Sequence, residues 1–191
     1  EYSEKIIVPG ALVYYRAKES PVNLLVNENG ISSQNALNIS VSQLENRIAS
    51  AIQQLIVTRK PKIAFLYGQG ELKSYYLADI LQPLFDFYEV DTLNLSHQVS
   101  IKKDIRALIV AKPISTFDEK DKFKIDQYIM NGGKVLWLLD ALNADLDSMT
   151  HKPSMLAIDV PLNLEDQLFT YGVRINPALL LDLQCNPVPL L

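Results

Sequence analysis

Residues 117–140 read FDEKDKFKIDQYIMNGGKVLWLLD, and no other stretch limits the fold so tightly. Thr116 and Glu119 have the spacing of a capping box, in which two side chains satisfy backbone N–H groups at the start of a helix. Asp118 adds negative charge where the helix dipole is positive. Phe117, Ile125, Tyr128 and Ile129 give the predicted helix, 117–130, an apolar side. Asn131-Gly132-Gly133 then supplies a left-handed stop. The run from Val135 to Leu139, VLWLL, is apolar on both faces, which suits a central strand of a parallel sheet. Helix, stop and buried strand in that order make one unit of an open α/β sheet.

The same alternation runs along most of the chain. KIAFLY at 62–67 predicts a buried parallel strand, and 71–87 a helix that Pro83 must kink or shorten. Further strands are predicted at 88–93 and 105–110. After residue 142 comes a long polar connection with a short strand at 155–160. A helix at 163–171 and a last strand at 178–183 follow. Strands alternating with helices predict α/β, an open, mostly parallel sheet with flanking helices and right-handed crossovers, flavodoxin-like in type. Ahead of it, the runs IIV, ALVYY and VNLLV are punctuated by Pro9-Gly10 and Glu19-Ser20-Pro21. They predict two or three short strands, with a turn at 27–30. Residues 40–59 predict a helix, with Val41, Leu44, Ile48, Ala51, Ile52 and Leu55 at helical spacing. Ser40 with Gln43, or Ser42 with Glu45, would cap it. Burying each large apolar residue of that stripe is worth about 1.5–3 kcal/mol. The expected division is a β-rich extension at 1–39 packed, through this helix, on an α/β domain at 40–191, or one continuous domain over 1–191.

Composition narrows the function. Of 191 residues, 48% are apolar and 21% charged, with a net charge of −4. A nucleic-acid binder usually presents a basic face, so nucleic acid is not an expected partner. Lys102-Lys103 and Lys120/Lys122/Lys124 are interleaved with or followed by acids and read as solvated faces. The single cysteine, Cys185, allows neither an internal disulfide nor a cysteine metal site. No signal peptide and no run of 18 apolar residues is present. The start at Glu1 and the apolar end at Leu190-Leu191 read as a soluble piece of a longer protein.

Several long segments carry a resemblance: VPGALVYYRAKESPVNLL from Val8, SQLENRIASAIQQL from Ser42, KIAFLYGQGEL from Lys62, AKPISTFDEKDKFKIDQYIMNGGKVLWLLD from Ala111 and LNLEDQLFTYGVRINPALLLDLQC from Leu162. In this order they resemble the ABC-transporter auxiliary domain family, its gliding-motility members included. The resemblance implies a membrane-anchored, periplasmic component of Bacteroidetes-type bacteria, with anchors outside this sequence. It also implies an ATPase and a permease as partners, and a fold similar to class I glutamine amidotransferases. It brings no catalytic residues and no cofactor.

Gly68-Gln69-Gly70-Glu71 follows a parallel strand, where α/β folds bind ligands and helix N–H groups meet anions. Against a ligand stand the ordinary use of glycine in tight turns and the charge of Glu71, which would repel phosphate. With Lys112 and Asp140, also at strand ends, these residues form the expected ligand site. Cys185 as an amidotransferase-type nucleophile would need a histidine base and a sharp elbow. It has no flanking glycines, and His97 and His151 lie in polar stretches. Asn143, Asp145 and Asp147 faintly resemble the start of a calcium loop, but the following glycine is missing and Ser154 stands where a bidentate glutamate belongs. Tyr14, Tyr15, Tyr75, Tyr76 and Tyr128 suit a sugar- or peptide-binding surface, or the edges of a core with wet hydroxyls. Phosphate-loop, zinc-protease and serine-elbow motifs are absent. The expectation is a non-enzymatic domain acting through protein contacts. The alternatives are a binding module for a glycan, peptide or lipid-like cargo at the strand ends, and a remnant amidotransferase-type hydrolase.

Overall fold

The computed structural model describes residues 9–26, 32–144 and 156–179. The chain divides into two compact units, Glu1–Lys60 and Pro61–Leu191. The predicted strand at 6–8, the turn at 27–30 and residues 180–183 of the last predicted strand lie outside the described residues, whereas 178–179 carry no regular structure.

In the first unit, β1 (Gly10–Tyr15) and β2 (Lys18–Asn23) form an antiparallel hairpin closed by Tyr15 opposite Lys18. A two-residue connection of this kind needs left-handed backbone, and Arg16 adopts it with φ 55°. Helix α1 (Ser33–Ile56) starts seven residues before the predicted 40 because Ser32, not Ser40, is the cap; its Oγ accepts from the Asn35 N–H at 3.3 Å. Ser40 is instead buried in mid-helix. Its hydroxyl donates to the Ala36 carbonyl at 2.6 Å and accepts from the Val26 N–H at 2.8 Å, fixing the chain after β2 to the helix. Ala51 and Leu55 are buried with Val22 and Val26. Val41, Leu44 and Ile52 of the predicted stripe are exposed. The helix thus belongs to the same compact unit as the hairpin, which ends at Lys60.

The second unit holds the predicted parallel sheet: β3 (Lys62–Leu66), β4 (Glu89–Leu93), β5 (Ile105–Ala111) and β6 (Lys134–Leu138). Their order is β4-β3-β5-β6, all parallel, which is the leading part of the flavodoxin-like arrangement. Side chains of each strand alternate between the two faces. On one face Ala64, Leu66, Leu108 and Val110 pack with Phe117, Ile125 and Tyr128 of the α3 (Glu119–Met130) segment, with Leu168 of α4 (Glu165–Thr170) and with Leu164 just before it. On the other, Ile63, Phe65, Ile109 and Ala111 meet Leu81 and Leu84 of α2 (Ala78–Phe87). A small antiparallel pair, β7 (Leu142–Asn143) and β8 (Ile158–Asp159), lies beyond β6 in the chain.

Three expectations are corrected. Among the described residues strand β6 is not central: it pairs only with β5, and Leu136 and Leu138 are 51% and 49% exposed. Helix α2 begins at Ala78, not 71, since Glu71 turns back onto the preceding backbone and the Leu72 N–H is taken by the Ala111 carbonyl at 3.0 Å. Pro83 lies inside the shortened helix. Helix α3 is capped by Asp118, whose Oδ1 accepts from the Asp121 N–H at 2.7 Å; the Thr116 hydroxyl donates instead to the Pro161 carbonyl. The glycine stop holds: Gly132 has φ 88°. Gly133 lies flat against the Tyr128 ring, where an added Cβ would come within 2.4 Å of ring atoms.

Candidate functional site at the carboxyl edge of the sheet

Strands β3 and β5 are neighbours whose chains leave in different directions, and their carboxyl ends mark the switch point where open α/β sheets bind ligands. The loop after β3 carries Gly68, Gln69, Gly70 and Glu71; the loop after β5 carries Lys112. Gly68 and Gly70 have φ 131° and 76°, a backbone that L side chains rarely adopt. This arrangement turns the N–H groups of Gly68 and Gln69 toward one point, a small anion nest. The nest is filled by the chain itself. Glu71 Oε2 accepts from both, at 2.9 and 2.8 Å. The Gln69 carbonyl accepts from the N–H groups of Ile114 and Ser115 at 3.0 and 2.9 Å, which stitches the two loops together across the switch point.

The Gln69 side chain turns inward and is buried. Its Nε2 donates to Asp121 Oδ2 at 3.0 Å. Asp121 is itself buried, and its other oxygen accepts from Lys124 Nζ at 2.8 Å, while Lys124 also donates to the Leu95 carbonyl. A buried carboxylate needs this kind of compensation. Among the described residues, Gln69 Oε1 and Glu71 Oε1 are enclosed without a hydrogen-bond partner. Glu71 borders a groove of about 460 Å³ between α2 and the β3–β4 side of the sheet, with Phe65, Leu77, Leu81 and Thr92.

Of the six residues expected to form one site, residues 68–71 come together as described. Lys112 and Asp140 form a separate pair, Nζ to Oδ2 3.2 Å, half-exposed; such surface pairs contribute about 0–1 kcal/mol. Tyr75 and Tyr76 are exposed and meet edge-to-face at 5.5 Å. Tyr128 is buried and donates to the Ile105 carbonyl at 3.1 Å, and burial raises its pKa. His97 is exposed in a short 3-10 turn. Asp145, Asp147, His151, Ser154 and Cys185 lie outside the described residues. Within them, no three His, Cys, Asp or Glu side chains gather as a metal set.

A polar network joining α4 to α3 was not anticipated. Lys122 Nζ, almost enclosed, donates to both Asp166 oxygens at 2.8 Å and to Glu119 at 3.1 Å. Burial pushes the Lys122 pKa down, but the hydrogen bonds and charge of Asp166 and Glu119 outweigh it and leave it raised. The hydrogen bond from Lys122, then the Gln167 N–H, lowers that of Asp166. Gln167 Nε2 donates to the Lys122 carbonyl at 3.1 Å, and the Tyr171 hydroxyl donates to Asp126 at 2.7 Å. The sequence reads Lys122 as part of a solvated face; it is buried instead, because its partner Asp166 lies 44 residues away in the chain.

These features define a flavodoxin-like α/β domain whose switch point is stitched and occupied by its own side chains. The chain belongs to the family described as ABC-type uncharacterized transport system, whose family model matches residues 60–191. The match coincides with the second compact unit, Pro61–Leu191. It marks the chain as an auxiliary part of an ABC-type transport system. No curated protein and no solved structure matches it. Among the described residues no helix is long and apolar enough to cross a membrane.

Proposed function

We propose that this chain is a non-catalytic, extracytoplasmic domain of its transport system, held at the membrane by anchors outside this sequence and acting with the permease and ATPase subunits through protein contacts. By its resemblance to the gliding-motility protein GldG, we infer a periplasmic setting and a role in transport or surface gliding. The observation that carries the reading is the family match across the whole second unit. The carboxyl edge of the sheet supports contact as the mode of action. Tyr67, Tyr75, Tyr76 and Ile114 are 60–85% exposed there, and exposed tyrosines with aliphatic neighbours are typical of interface cores. A photo-crosslinking residue at Tyr75 or Tyr76, in cells that make the whole transport system, should capture the permease. Capture of envelope proteins only, with no transporter subunit, would sink this reading.

A cargo-binding module is the second reading. The groove beside Glu71, with the unpartnered Oε1 on its border, favours it. Native mass spectrometry of protein purified from its own host should then show an added mass of a glycan, peptide or lipid, and repeated bare masses would exclude it.

A further inference from the structure

At the opposite edge of the sheet, where the strands begin, lies a cavity of about 850 Å³. It is larger than the groove beside Glu71, and its charge is one-sided. Lys102 and Lys103 come from the loop before β5, Arg106 from β5 itself, and Lys134 from the first position of β6; no Asp or Glu lines it. In sequence Lys102-Lys103 reads as a solvated pair with an acid following. The fold moves that acid off the lining and adds Arg106 and Lys134 from other segments.

Two ordinary explanations for the cluster fall short. Structural cations are usually paired, as Lys62 is with Asp91 at 2.9 Å and Lys124 with Asp121. Lys102, Lys103, Arg106 and Lys134 make no side-chain ion pair or hydrogen bond among the described residues. Lys102 acts on Asp91 only through space. The carboxyl end of α3 opens here and favours positive charge. That dipole is equivalent to about half an elementary charge, too little to account for four cations, and the last turn of α3 contains no basic residue. On a chain of net charge −4, four exposed cations without a side-chain partner among the described residues on the lining of one cavity of ligand size are a local reversal of sign.

We propose that this cavity binds a multiply charged phosphate-bearing ligand, either a soluble phosphate compound or the headgroup of an anionic phospholipid. Phosphate concentrates several negative charges in a small volume, matching four cations around one cavity. The guanidinium of Arg106 offers the forked geometry that phosphate oxygens accept, and the lysines supply point charges around it. The Ser100 hydroxyl and the Asn131 amide, also on the lining, add neutral polar groups. The proposal stands apart from the transport reading.

The test titrates the full chain with inorganic pyrophosphate by calorimetry at low salt. In parallel, it measures co-sedimentation with phosphatidylglycerol vesicles, using phosphatidylcholine vesicles as reference. R106Q/K134Q is compared with K120Q, which removes a positive charge from an exposed helical position off the lining; urea midpoints establish that each variant is folded, and K102Q serves if the double variant is not. Binding in the wild type that weakens at least roughly tenfold in R106Q/K134Q or K102Q, but less than about twofold in K120Q, is the expected result. Pyrophosphate binding alone assigns a soluble phosphate, and vesicle binding through the same residues assigns a headgroup. Absence of binding to both probes, or equal loss in K120Q, overturns the proposal.

Discussion

The two faces of the parallel sheet are made by the same strands and carry unequal cores. Under α3 and α4, fourteen buried residues form one cluster in which Phe117 and Ile125 have no exposed surface. Under α2, among the described residues, only four buried residues cluster, and all four belong to the sheet. Helix α2 itself has no buried residue. The shortfall is greatest at β6, where Val135 and Trp137 are half-buried on the first face while Leu136 and Leu138 stand exposed on the second. The comparison separates two things that strand composition confuses. An apolar side chain on both faces says that a strand can be covered twice; it does not say that both covers are present.

The inequality can be broken by mutation. Phe117→Ala should cost about 3–5 kcal/mol in urea unfolding, the usual range for emptying a closed aromatic site. Leu81→Ala on α2 should cost roughly 1–2 kcal/mol, since a half-buried leucine gives up only part of its transfer energy. Equal losses would show the second face to be as tightly packed as the first. Glu71→Ala should follow at about 0.5–1.5 kcal/mol, because it strips two backbone N–H groups, one exposed and one partly buried, of their acceptor. If its urea midpoint equals that of wild type, water replaces the carboxylate without loss.

The Lys122–Asp166 link sharpens the comparison through pH, since it fastens α4 to the first face alone. The pKa of Asp166 is lowered from 3.8 in the fold, so its contribution is present above that value and is lost as pH falls below it. The pKa of Lys122 is raised from 10.5; its contribution holds below that value and is lost as pH rises through the folded one. Asp166→Asn should therefore flatten the acid limb of the stability profile, and an unchanged limb would remove the link from the account. The smallest effect is expected for Leu136→Lys on the open face, within about 0.5 kcal/mol of wild type. A loss of several times that amount would mean that Leu136 is covered after all.

The parallel sheet was legible because runs such as KIAFL and RALIV need burial on both sides, and the glycine stop of α3 because Gly132 has no side chain to oppose left-handed backbone. Cap choice was less so. Thr116 and Asp118 are both cap residues, and the contest is settled by the Pro161 carbonyl, 45 residues away, which claims the threonine hydroxyl. Likewise Ser40 looked like a helix start because its second partner, Val26, belongs to a different segment. In the candidate site the glycine loop could be read at its strand end. Glu71 reads in sequence as a charge that repels phosphate; that it occupies the nest depends on the loop's backbone geometry. The basic cavity was hidden for the same reason, its cations being drawn from three segments.

The filled nest also sets a competition. Glu71 is tethered two and three residues from the N–H groups it accepts from. A group on so short a link has an effective concentration of millimolar or above. A free anion must exceed that level, or bind through further contacts, merely to share the position. Phosphate at roughly millimolar concentration gains little there, and the switch point of this sheet is buffered against the very ions that the same backbone geometry would otherwise collect.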